Sequence, residues 1–264
     1  MEKKQKPVDH SKMKLGKHPP KKDDRTFRLD AYLRHDELPP LPEEWNWGHK
    51  IAPDKWGVML NRKLENCTCA AAGHLIMTWT SNTGKLFKPS DKAIVQTYSA
   101  ITGYDPKTGE NNTGAYALDV LKHWRKNDIE GHKIFAFAAV DHKKHLEVKQ
   151  SIFLFGGCFA GLGLPKSSLN QKIWDVPKEG LHGDGAFNSS GGHAVLITGY
   201  NKEGVRVITW GKELFMTWEF WNAYGDESYA IFSDDFIKNN ENPAGIHVNT
   251  LKKDIAELKK DDVL

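Results

Sequence analysis

The pattern of apolar residues changes near residue 130, and that change constrains the fold more than any other feature of the chain. Before it, the spacing is helical. Cys67, Ala70, Ala71, His74, Leu75, Thr78 and Trp79 step by three and four through an alanine-rich run that opens near Asn66, a capping-type residue. A second helix is predicted over 91–101 with Ser90 as its N-cap. A third is predicted over 114–126, with Tyr116, Leu118, Leu121 and Trp124 near one face. After residue 130, short runs rich in Val, Ile and aromatics take over at 133–140, 155–164, 193–200, 205–210 and 229–232. Short helices are expected at 145–153 and 217–223. Helices first and mostly antiparallel strands afterwards mean an α+β protein, with a helical lobe over about 56–130, a β lobe over about 131–250 and a cleft between.

Charge divides the chain differently. The net charge is +3, yet residues 1–22 alone carry eight lysines against Glu2 and Asp9, so the remainder is acidic. Residues 1–26 read as a solvated, disordered extension, and 27–264 as the folded domain. Lysine clusters attract phosphate without specifying it. No aromatic residue interleaves with these, so nucleic acid is expected at most as a nonspecific contact of 1–22. Residues 23–55 contain Pro39–Pro42 and the cluster Trp45-Asn46-Trp47, an extended stretch read as an integral strand in preference to a cleft-filling propeptide.

The N-terminus has no apolar run behind its charges, no apolar run is long enough for a membrane span, and three cysteines imply no disulfide framework. A reducing, cytoplasmic setting is expected, with no membrane partner and no cofactor.

A thiol is a useful nucleophile only as thiolate, and a helix N-terminus or a nearby imidazolium lowers its pKa. Cys67 stands where the alanine-rich helix begins. The same position also suits an inert core thiol, and Cys67, Cys69 and His74 could be read as a metal set, but no second pair stands at zinc-finger spacing and no metal site is expected. Cys69 falls about 200° round the helix and Cys158 lies within a strand, so both read as structural. Among twelve histidines, His193 is framed by two glycines just before an apolar strand, where an imidazole can face a cleft.

Together these pieces resemble the papain-like cysteine peptidases. The residues that carry the resemblance are NRKLENCTCAAAGH at 61–74, GGHAVLITGY at 191–200, VITWG at 207–211 and YGDESYAIF at 224–232, in that order. Bacterial and phage-encoded relatives are more similar than secreted papains, whose disulfide cysteines and signal peptide are missing here. The resemblance implies a two-lobed fold with an antiparallel, barrel-like C-terminal lobe, and Cys67 as nucleophile with His193 as base. It places an oxyanion-hole amide six residues before the cysteine, at Asn61, where the family has glutamine. The family's asparagine that orients the imidazole is absent. Anchoring on Trp-Gly puts Ile208 in that slot, whereas papain's sixteen-residue spacing puts Thr209 there; Thr209 is the polar choice, with Asn222 or Asp226 as residues that could fold back instead. Trp210 corresponds to the tryptophan that covers the imidazole. The long loop 167–190 would border the cleft, so Trp174 and Asp184 are expected to touch substrate, together with Trp210.

The expected function is a thiol-dependent hydrolase, a cysteine peptidase or amidase acting on peptide or protein through an acyl-thioester on Cys67. The missing asparagine keeps a catalytically inactive binding module open, and acyl transfer to an amine is a third possibility.

Overall fold

A computed structural model of the chain describes residues 9–33, 38–239 and 241–245. The first eight residues, His35 and the last part of the expected domain, 246–264, lie outside the described residues.

The elements run α1 (Leu29–Tyr32), β1 (Trp45–Asn46), α2 (Cys67–Thr83), α3 (Asp91–Thr102), α4 (Ala117–Lys126), β2 (Ile134–Ala139), α5 (His145–Phe155), β3 (Cys158–Leu164), β4 (Ile173–Trp174), β5 (Gly191–Tyr200), β6 (Gly204–Thr209), β7 (Lys212–Thr217), α6 (Trp218–Tyr224) and β8 (Gly225–Ser233). Helix α2 is buried on every side from Cys67 to Trp79 and packs against β5, which makes it the axis of the molecule rather than an amphipathic surface helix. The alanines permit this: small side chains let neighbouring backbones approach closely.

Helix α3 starts as predicted, with Ser90 Oγ accepting the Ala93 N–H at 3.1 Å, and stops at Gly103 in the left-handed region. Helix α4 begins at Ala117 rather than 114, because Gly114 has φ +83° and Tyr116 is still extended. Helix α5 continues to Phe155, where a strand was expected to begin; Gly156, at φ +80°, separates it from β3.

The strands follow the order β2-β8-β3-β5-β6-β7-β4, with β1 pairing beside β5. All pairs are antiparallel except β4 with β7. The sheet is open, so the barrel-like lobe is corrected to an open layer. Strand β7 was not anticipated. It returns from β6 through the two-residue turn Trp210-Gly211, both at positive φ (49° and 75°), the turn geometry whose twist suits a tight hairpin. Tryptophan is an uncommon residue for that conformation. The described helices include none long and apolar enough to cross a membrane.

The two stretches ahead of α2 behave differently. Residues 38–50 are integral, as expected: β1 pairs with the end of β5, and the buried Trp47 donates its Nε1–H to Ile152 O at 2.8 Å. Residues 9–26 do not hang free in solvent. They lie against the body, with His10 and Lys17 buried, because backbone bonds and the ion pairs of Lys17, Lys21 and Asp23 hold them there.

Candidate active site

Cys67 is the first residue of α2, at the positive end of the helix dipole, where the N–H groups have no partner within the helix. The neighbour Asn66 does not cap the helix: its amide donates to Met59 O at 2.9 Å, and its Oδ1 is buried without a partner. The sulfur of Cys67 accepts the backbone N–H of Ala194 at 3.4 Å. That bond ties the head of the helix to β5 at the residue immediately after His193.

The His193 ring is fully buried. Its Nε2 shares a hydrogen bond of 2.6 Å with Thr209 Oγ1, and its Nδ1 has no partner. Of the two positions the resemblance offered, Thr209 is the one bonded to the imidazole, while Ile208 sits in the core. Neither alternative reaches the imidazole: Asn222 Oδ1 bonds to His145 Nε2 at 2.7 Å, and Asp226 is engaged elsewhere. The Trp210 ring stacks on His193 with centroids 4.6 Å apart, so the strained turn at the end of β6 lays an indole over the imidazole.

Asn61 is buried near the start of this region, and its Nδ2 donates to Leu64 O at 3.0 Å. Trp174 does not face the cleft. It is fully buried, stacked on Phe220 and edge-on to Trp210. Burial of Trp174 corrects the expectation that its side chain touches substrate. Asp184 is exposed in a turn, where its carbonyl accepts the Ser189 hydroxyl. Cys69 and Cys158 are buried, and all three cysteines are free thiols. Among the described residues no group of His, Cys, Asp and Glu is arranged to hold a metal ion.

The cleft itself is filled by the chain's own N-terminal segment. Lys14 N–H donates to Asn61 O at 3.1 Å, while Trp210 Nε1–H donates to Lys14 O at 3.1 Å. The N–H groups of Gly16 and Lys17 reach Gly192 O at 3.1 and 3.0 Å, one residue before His193. On the opposite wall, Ala115 N–H donates to Gly16 O at 2.8 Å and His18 N–H to Ala115 O at 3.1 Å. The walls are bare backbone: a Cβ on Gly192 would lie 2.0 Å from Lys17 O, and one on Gly114 would lie 2.2 Å from Gly16 O. Further back, His10 packs on the Trp210 ring with centroids 4.9 Å apart, and neither of its ring nitrogens has a partner.

Burial shifts both side chains. It pushes the Cys67 thiol up to about 12, against the smaller lowering effects of the Ala194 N–H and the nearby Lys17 charge. It pushes His193 down to about 3, helped by the His10 and Lys17 charges.

Lys17, the glycine walls and the acidic pair Asp226-Glu227 went unnoticed as a set in the sequence. The Gly191-Gly192 pair before His193 was visible, but nothing marks Lys17 among its neighbours in a lysine-rich head.

No family model matches the sequence, and no match was found among curated proteins. Solved structures do match. Xylellain, a cysteine protease from Xylella fastidiosa, aligns at TM-score 0.60 and 16% identity over 87% of this chain and 99% of its own. Digestive procathepsin L 3 from the larval midgut of Tenebrio molitor aligns at 0.58 and 8% over 84% of this chain and 77% of its own. The ragweed pollen allergen Amb a 11, a cysteine protease in its proform, aligns at 0.53 and 14% over 76% and 68%. These likenesses join the open sheet, the buried axial helix and the cleft between them into one assignment: the chain has the papain-like cysteine protease fold.

Proposed function

We propose that the chain is a cysteine peptidase held latent by its own residues 9–18. The observation that carries this reading is the join between helix and strand, where the Cys67 sulfur accepts the Ala194 N–H beside an imidazole already bonded to Thr209. With Nε2 protonated and donating to Thr209 Oγ1, His193 Nδ1 keeps a lone pair for the thiol proton. The thiolate attacks a peptide carbonyl carbon, and the carbonyl π electrons move onto oxygen. The C–N bond then breaks as His193 returns the proton to the leaving amine. Water cleaves the resulting thioester, releasing acid and restoring the thiol.

The oxyanion would be met by the Cys67 backbone N–H at the helix terminus and by the Asn61 amide, which carries a second hydrogen beyond the one given to Leu64 O. Thr209 positions the imidazole, and Trp210 keeps water from it. Peptides or proteins are the substrates, because the walls bind an extended main chain through backbone groups. A reducing, cytoplasmic setting belongs to the proposal, in keeping with three free thiols.

The inactive-module reading is favoured by the missing asparagine and by the burial of both Cys67 and His193. A thiol-directed covalent probe decides between them, applied to the full chain and to full-length Lys17→Gln and Cys67→Ala variants. Labelling that is slow in the parent, faster in Lys17→Gln and absent in Cys67→Ala supports a latent peptidase. Labelling that persists in Cys67→Ala, or fails in both other forms, overturns it.

A further inference from the structure

The side chain of Lys17 is completely buried although it carries a charge. Its Nζ lies 2.9 Å from Asp226 Oδ2, 3.0 Å from Glu227 Oε1 and 3.0 Å from the carbonyl of His18. Both carboxylates belong to the body of the protein, at the start of β8, and Glu227 is fixed there by the Tyr229 hydroxyl at 2.9 Å. The pocket also has a made floor. Gly161 in the centre of β3 has no side chain, and a Cβ there would come within 2.6 Å of Glu227 Cγ, 2.7 Å of Asp226 Oδ1 and 2.8 Å of Lys17 Cδ. The absence of that one carbon leaves room for a long aliphatic stem to reach the carboxylates.

Two adjacent, mostly buried carboxylates are costly without a cation, because they are desolvated and repel each other. Burial pushes both upward in pKa, and Lys17 works against that shift. The pocket therefore calls for a positive charge at the end of a flexible stem. The main chain that delivers Lys17 is held by Gly192 O on one wall, while Gly16 and His18 beside it are held by Ala115 on the other, contacts open to any extended peptide. Asp226 Oδ1 is buried and has no partner, a spare acceptor that an ammonium in this position leaves unused and a guanidinium fork could take.

We infer that Asp226 and Glu227 form a specificity pocket that selects a lysine or arginine side chain of the substrate next to the bond to be cut, and that Lys17 fills it as an internal mimic while the cleft is closed. The inference rests on the reading of this cleft as a peptide-binding groove.

The test uses the full-length Lys17→Gln chain, in which the segment no longer brings a cation to the pocket, with folding checked by circular dichroism. Fluorogenic peptides carrying Lys, Arg, Gln or Leu at each of the two positions before the scissile bond are compared by kcat/KM. A preference of about 10- to 100-fold for the basic side chains at one position is expected, with Arg at least equal to Lys. Adding Asp226→Asn and Glu227→Gln should collapse that ratio towards one. The same peptides are titrated by fluorescence anisotropy onto the full-length Lys17→Gln, Cys67→Ala chain, which needs no catalysis. Turnover or binding without a basic preference overturns the pocket. Preferential binding of basic peptides with no turnover in any form leaves the pocket standing and overturns the peptidase reading. If Lys17→Gln does not fold, the parent chain is assayed for competition between its own segment and added Lys- or Gln-containing peptides; equal displacement by both overturns the inference.

Discussion

Two extended stretches precede the catalytic-type helix, and they are held in opposite ways. Residues 38–50 are bound by aromatic burial: Trp45 and Trp47 meet edge-on at 5.0 Å, Trp45 also meets Phe153 at 5.2 Å, and β1 adds main-chain pairing to β5. Residues 9–18 are bound by backbone hydrogen bonds, the two ion pairs of the buried Lys17 and a few partly buried apolar groups such as Met13 and Leu15. Apolar burial has no equivalent in solution and makes a stretch permanent. Backbone bonds and charge pairs can be exchanged for water or for another peptide at small net cost, so they make a stretch replaceable. The difference separates a structural strap from the cover proposed above, although neither stretch shows helical periodicity in the sequence.

The strongest way to break this contrast is Trp47→Ala. It removes a buried indole with three packed aromatic neighbours and should lower global unfolding stability by about 3–5 kcal/mol in denaturant titration. A loss below about 1 kcal/mol would place 38–50 in the same replaceable class as the cover.

Next comes Lys17→Ala, which leaves Asp226 and Glu227 unpaired in the closed state. Water can reach the carboxylates once the cover leaves, so the effect should fall on closure rather than on global folding. A closing penalty of about 2 kcal/mol, read as roughly 30-fold faster alkylation of Cys67, is expected.

Acid should loosen the cover but not the strap. The ring of His10 is held below its ordinary pKa by burial and by the Lys212 charge, with Asp9 opposing. Its released form binds a proton more readily than its closed form. The closed state is therefore fully favoured above the ordinary histidine pKa of about 6.5 and loses ground as pH falls through it. His193, pushed down to about 3, acts in the same direction. Cys67 accessibility, measured with a reporter thiol reagent corrected for intrinsic pH dependence, should rise roughly 3- to 10-fold between pH 7.5 and 5.5. His10→Phe should flatten part of that rise, and an unchanged profile removes His10 from the closing equilibrium.

The smallest expected effect belongs to Leu15→Ala. Its side chain is partly buried, with Cδ1 close to Gly191, and its loss should weaken closure by about 1 kcal/mol in the same accessibility assay while leaving the melting transition of the body in place.

Much of the fold could be read from local pattern. The alanine-rich run at Cys67 and the Ser90 cap are signals written within a few residues, and both helices begin where they predict. The strand carrying His193 was legible for the same reason, its apolar run and two leading glycines being adjacent in the chain. Strand β7 escaped because Lys212, Glu213 and Leu214 lie at its less buried end and give no continuous apolar run. Trp174 was misjudged because a tryptophan in a polar loop has no local mark of whether it turns outward or, as here, into a stack with Phe220. Thr209 could be named from spacing, but its bond to the imidazole depends on β5 and β6 lying side by side.

By itself the sequence determined the helix-then-strand order, the placement of Cys67 at a helix head and of His193 at a strand, since each depends on periodicity and capping over a short span. Only the tertiary structure decided that a lysine from the charged head would be buried in the cleft. Its partners lie 209 and 210 residues away, and a charge can leave water only where the folded chain has already brought its counter-charges together.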